Sequence, residues 1–140
     1  MLLAILHLLT VLSISALSGL NDAVLYSRRG ADAFPWNEHK IFVAKRAALI
    51  LLVALTCLLT LNGTILPLAV NMIIIYPLSY PFVHNSIYYE ARNRIDKSYP
   101  AGWKSDSTTS TAQINFNLSQ RTGMALLSLL IFIITLTAAC

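Results

Sequence analysis

The chain reads as an all-α integral membrane protein: a bundle of four transmembrane helices forming a single domain over residues 1–140. Two observations predict this. Four long apolar runs punctuate the sequence, and every Lys and Arg lies beside the first or the third of the connections between them. Composition agrees. With 56% hydrophobic and 11% charged residues, the chain carries far less charge than the roughly 25% of soluble domains. A soluble domain of this size leaves about a third of its unfolded surface in water, and this chain has little polar surface to offer there.

The runs cover residues 2–20, 41–61, 65–82 and 122–140, each close to the roughly 20 helical residues that a bilayer core takes. They predict helices over about 2–29, 41–61, 65–97 and 121–140, joined by loops 30–40 and 98–120. Nothing basic precedes the first run, so it reads as a retained helix and not as a secretory signal. It should run past the core, because Arg28 and Arg29 suit a C-terminal turn and Gly30 suits a left-handed cap. In the second helix Lys45 and Arg46 lie near the start, where long basic side chains can reach the headgroups. The third contains Pro67, Pro77 and Pro81. Each lacks an amide donor, so kinks are expected. Beyond Pro81 the helix leaves the membrane with Glu90 and Arg94 in the favourable i,i+4 order, and Pro100 and Gly102 end it. The Ser- and Thr-rich stretch 104–111 reads as a loop, and Ile114, Phe116 and Leu118 alternate with polar residues as a short strand does.

Because the basic residues flank only loops 30–40 and 98–120, the positive-inside rule makes both loops cytoplasmic and turns both termini outward. The tight connection Asn62-Gly63-Thr64 carries no charge. A bacterial inner membrane or a membrane of viral origin is the expected location. The net charge of +4 is assigned to topology and to anionic lipid headgroups, and no nucleic-acid partner is expected. There is also a faint repeat. Asn21, Arg28 and Asp32 recur 64 positions on as Asn85, Arg92 and Asp96, and Arg46, Leu51 and Leu52 recur 75 positions on as Arg121, Leu126 and Leu127. Two parallel helical hairpins related by an axis along the membrane normal would produce this pattern.

Three groups of residues are candidates for function. His7 and Asn71 are polar groups inside apolar runs, at equivalent places in the repeat. Each must find a partner there, whether as a bond between helices or as part of a conduction path. Glu38, His39, His84 and Glu90, with Asp22 beside them, gather near one end of the helices. Carboxylates and imidazoles on facing helices can hold zinc or paired iron, although Glu38 and His39 are adjacent and point about 100° apart, and no Glu-x-x-His pair occurs. Trp103, Ile114, Phe116 and Leu118 give the loop 98–120 more to bury than a linker needs, which suits docking to a partner. The many Tyr and Trp residues near the same end form an aromatic belt. Cys57 and Cys140 fall at different depths, so no bridge is expected. The two glycosylation-type triplets, at Asn62 and Asn117, read as chance.

No stretch reads as a catalytic or cofactor signature. The expected function is that of a structural or accessory subunit of a larger membrane assembly, with other membrane subunits or further copies of the chain as partners. A small oligomeric channel or transporter, and a metal-binding protein or enzyme of the cytoplasmic face, are the alternatives. In general character the chain resembles the small membrane proteins that phages and bacteria use as structural parts, a likeness of type alone. It departs from the small multidrug transporters, which carry an acidic residue in the first helix where this chain has only His7.

Overall fold

The computed structural model describes residues 2–30, 36–61, 65–99 and 116–138. These are helical apart from short connecting stretches. The helices are α1 (Leu2–Arg29), α2 (Trp36–Leu61), α3 (Ile65–Val70), a π-helical segment (Asn71–Ile75), α4 (Tyr76–Ile95) and α5 (Leu118–Ala138). The chain stays helical from 65 to 95, so α3, the π segment and α4 form one interrupted rod. Two helices are long and apolar enough to cross a membrane, over Ala4–Arg29 and Leu118–Thr137.

Local chemistry accounts for the helix ends. Arg28 and Arg29 occupy the last turn of α1, and Gly30 follows with φ 67°, the left-handed cap that glycine adopts without a Cβ clash. The helix α2 begins at Trp36, five residues ahead of its apolar run, because the run marks what suits lipid while helix continues through the polar residues before it. At the far end of α4, Asp96 turns to extended backbone with φ −139° and ψ 112°. The Ser98 amide donates to the Asp96 carboxylate at 2.9 Å, which holds that carboxyl below its usual range and closes an Asx turn. The helix therefore stops at Ile95, short of the expected 97.

The strand expected around 114–118 is not formed by its described residues. Leu118 opens α5, and Phe116 and Asn117 form its approach, while Ile114 lies outside the described residues. The reason is a capping box: Asn117 Oδ1 accepts from the Gln120 amide and Gln120 Oε1 accepts from the Asn117 amide, both at 2.9 Å. Two otherwise unpaired donors are thereby satisfied reciprocally at the helix start.

The prolines act on the third rod unevenly. Pro67 sits in the first turn of α3, where no amide is needed. Pro77 lies directly after the π segment, and its missing N–H leaves the Ile73 carbonyl without an i+4 donor. The wider turn, in which the Tyr76 amide bonds the Asn71 carbonyl, absorbs this locally. Pro81 stands inside α4, which continues through it.

Packing centres on α1 against the third rod. His7 meets Asn71, Asp22 meets His84 and Tyr26 meets Arg92, so numbers rise together and the two run parallel in register. Ser15, Gly19 and Ala23 are buried on α1 at four-residue spacing, the pattern that lets helix backbones approach closely. The approach is closest at Gly19, where a Cβ would collide with the His84 carbonyl and lie 3.2 Å from the Tyr88 nitrogen. On one flank α5 runs antiparallel to the rod, with Phe132 packed on Ile75 and Ala4 and Arg121 near Tyr89. On the other, α2 runs antiparallel to α1, joined to it by Arg46 and Asp22.

The interior is unusually polar for a chain of this composition. His7, Ser15, Asp22, Asn71, His84, Arg92 and Arg121 are all buried, alongside an apolar core of mostly small or branched residues. Outside, Leu17 is 65% exposed, Ile73 74% and Leu126 62%, and similar side chains stand out on every long helix.

Candidate functional site

A charged cluster forms where α1, α2 and α4 meet. One carboxylate oxygen of Asp22, Oδ2, accepts from Arg46 Nη2 at 2.6 Å and from His84 Nε2 at 2.9 Å. Arg46 also donates through Nη1 to the Tyr80 hydroxyl, and its guanidinium lies 5.4 Å from the Tyr80 ring centroid. The Tyr80 ring stacks on His84 with centroids 4.7 Å apart, and His84 Nδ1 faces Asn85 Oδ1 at 3.0 Å. Side-chain exposure is 9% for Asp22, 11% for His84 and 13% for Arg46. In so shielded a pair the attraction between the charges is strong but is largely offset by their desolvation, and leaving one member alone there is costly. Lys45 and Arg46 are adjacent on α2 and so point about 100° apart. Arg46 turns inward while Lys45 stays exposed.

A cleft of about 350 Å³ opens between α1 and α2 beside this cluster. Its walls run from Asn21, Asp22, Lys45 and Arg46 at one end to Ile14, Leu17 and Leu49 at the other.

Two helical turns beyond His84, Arg92 is held in an aromatic cage. Its guanidinium lies 3.8 Å from the Tyr26 centroid, 4.0 Å from that of Tyr99 and 5.3 Å from that of Tyr88. Its Nη1 donates to the Tyr88 hydroxyl at 3.3 Å. Burial pushes the Tyr88 hydroxyl up to about 12, against the pull of the Arg92 charge. The cage ties the end of α1, the end of α4 and the turn after it into one unit.

The two polar candidates within apolar runs, His7 and Asn71, do come together. Asn71 Nδ2 donates to the Ala4 carbonyl at 3.0 Å and lies 3.3 Å from His7 Nδ1. His7 Nε2 and Asn71 Oδ1 have no hydrogen-bond partner among the described residues. Between this pair and the Asp22 cluster, the hydroxyls of Ser15 and Ser79 both turn back onto carbonyls of their own helices, Val11 and Tyr76. His7→Ala and Asn71→Ala should therefore each weaken the α1 contact by no more than about 2 kcal/mol, read from unfolding titrations in detergent, without preventing insertion.

The remaining candidates separate. Among the metal candidates, His84 is engaged by Asp22, and Glu90 pairs with Arg94 at 3.0 Å on an exposed face. The side chains of Glu38 and His39 lie outside the described residues, and among those described no three His, Cys, Asp or Glu side chains gather. Of the docking candidates, Phe116 and Leu118 are half-buried, and Trp103 and Ile114 lie outside the described residues, as do the side chains of Cys57 and Cys140. Sequence reasoning missed the inward role of Arg46, Arg92 and Arg121 by assigning all three to topology. A usable signal was present for Arg92, which follows Tyr88 by one helical turn. Comparison with protein-family models, with curated proteins and with solved structures returns no match for this chain.

Proposed function

We propose that the chain is a four-span membrane protein with both termini outside, serving as a structural or accessory subunit of a larger membrane assembly. The observation that carries this reading is the inverted distribution of polarity. Large apolar side chains stand out around all the long helices, while charged and amide groups are paired in the interior. In water such a surface is an aggregation liability. In lipid the same arrangement is the favourable one, because polar groups must be satisfied internally. The interrupted third rod and the basic start of α2 fit two further spans, with the Lys and Arg side chains at one membrane face. The parallel register of α1 with the third rod, each flanked by an antiparallel helix, supports two copies of one hairpin. The structural role is favoured over conduction because the two buried polar clusters are separated by hydroxyls bonded to their own helices.

Topology is tested by labelling. Cysteines at Gly63 and near Met1 should react with an impermeant reagent in intact cells, and cysteines at Ala33 and Ser107 should not. Outside labelling of Ala33 would overturn the orientation. The subunit role is tested separately: replacing Trp103, Phe116 and Leu118 with Ser should leave the helices inserted and reduce the size of the assembly, since desolvated apolar anchors carry most interface energy. Unchanged assembly would end the docking role. A channel or transporter is the second reading, favoured by the buried His7 Nε2 and Asn71 Oδ1 that lack partners among the described residues. Loss of a measured ion flux in His7→Ala, with assembly intact, would replace the first reading by the second.

A further inference from the structure

The cleft between α1 and α2 combines three properties that a lipid matches and a soluble anion does not. Its size, about 350 Å³, is at the lower end of the roughly 300–1,000 Å³ typical of small-molecule sites. Its polarity is graded: Ile14, Leu17 and Leu49 line one end, Ser18 lies between, and Asp22, Lys45 and Arg46 line the other together with Phe42. On α1 alone the wall from Ile14 to Asp22 extends about 12 Å along the helix axis. Its charge is also unbalanced. The Asp22 carboxylate is balanced by the Arg46 guanidinium and also contacts His84, whereas Lys45 is exposed and joins none of the ion pairs among the described residues.

We propose that this cleft binds one anionic phospholipid, with its phosphate at Lys45 and Ser18 and the start of an acyl chain along Ile14, Leu17 and Leu49. The inference rests on the membrane reading above, since only there does the apolar end of the cleft open toward acyl chains. Charge complementarity selects the occupant. A zwitterionic lipid would bring a second cation beside an exposed Lys45 ammonium that joins no ion pair among the described residues, and basic pockets between helices at a membrane face are suited to anionic headgroups.

The test uses the full chain in detergent, with phosphatidylglycerol and phosphatidylcholine of identical acyl chains as probes and retained lipid counted by native mass spectrometry. One phosphatidylglycerol per chain should be retained in preference to phosphatidylcholine. Lys45→Ala should lower that retention about fivefold, the effect of one basic side chain near an anionic lipid. Arg29→Ala, at the exposed end of α1 outside the cleft, should leave it unchanged. Leu17→Trp, which fills the apolar end without altering charge, should also reduce it. Equal retention of the two lipids, or a Lys45→Ala variant that binds as the parent does, would overturn the proposal. Full displacement by excess inorganic phosphate would overturn it too, by marking a site for a free anion. Extraction of the chain from membranes by alkaline carbonate would remove the membrane reading and this inference together. Carbonate resistance with equal lipid retention would remove the inference alone.

Discussion

Asp22→Ala is expected to be the most damaging single substitution in the chain, costing about 3–5 kcal/mol of folding stability. Its carboxylate answers Arg46 and His84 through one oxygen, so its loss removes the counter-charge of an arginine whose side chain is only 13% exposed. The magnitude follows from that asymmetry. Breaking a buried pair leaves an uncompensated charge, while replacing the whole group by apolar residues of similar volume is often neutral or stabilising. The combined replacement Asp22→Leu, Arg46→Met and His84→Leu should therefore recover most of the stability that Asp22→Ala loses. Unfolding titrations in mixed detergent micelles, followed by circular dichroism, measure both. A loss below about 1 kcal/mol for Asp22→Ala would mean that the cluster behaves as a hydrated surface pair, and would remove its role as the tie between α1, α2 and α4.

Gly19→Leu should separate α1 from α4 where the two backbones are closest. The obstacle to a Cβ there is the His84 carbonyl and the Tyr88 nitrogen, and backbone on backbone cannot be relieved by a rotamer change. Gly19→Ala gains up to about 1 kcal/mol of helix propensity and still should destabilise by about 1–3 kcal/mol from overpacking, with Leu costing more. Gly123→Ala provides the contrast. A Cβ at that position meets nothing within 4 Å, so the propensity gain should stand alone and the variant should be slightly more stable. If Gly19→Ala and Gly123→Ala shift the unfolding midpoint equally and in the same direction, the close approach of α1 and α4 is not what holds them together.

Helix content was legible in this sequence because apolar runs of membrane length leave little alternative, and the α1 terminus was legible because Arg28, Arg29 and Gly30 each carry a local signal. His7 and Asn71 were legible as polar groups within apolar runs, each in need of a partner, and their meeting accords with their equivalent places in the faint repeat. The inward turn of Arg46 was not. Nothing in Lys45-Arg46 says which of two adjacent cations faces the interior; that depends on Asp22 arriving from another helix at the same level. Arg92 was hidden for a similar reason, as two of its three aromatic partners, Tyr26 and Tyr99, come from outside α4. The start of α5 was misread because alternation over Ile114, Phe116 and Leu118 is a weaker signal than Asn117-x-x-Gln120, whose two side chains bond the backbone directly.

The sequence distance across each buried pair also sets a schedule for biogenesis. Asp22 and Arg46 are 24 residues apart and lie on consecutive helices, so each charge meets its partner almost as soon as the second helix emerges. On the four-span reading they can enter the bilayer as a neutralised hairpin, instead of each carrying roughly 2.5–3.5 kcal/mol of insertion penalty alone. His7 must wait longer. Its partner Asn71 follows 64 residues later, which at the roughly 5–20 residues per second of synthesis is an interval of about 3–13 seconds. During that interval the first hairpin exposes the polar stripe of α1 to whatever lies beside it. On the same reading, membrane chaperones or neighbouring chains would have their longest access to this protein along that stripe, before the third helix closes over it.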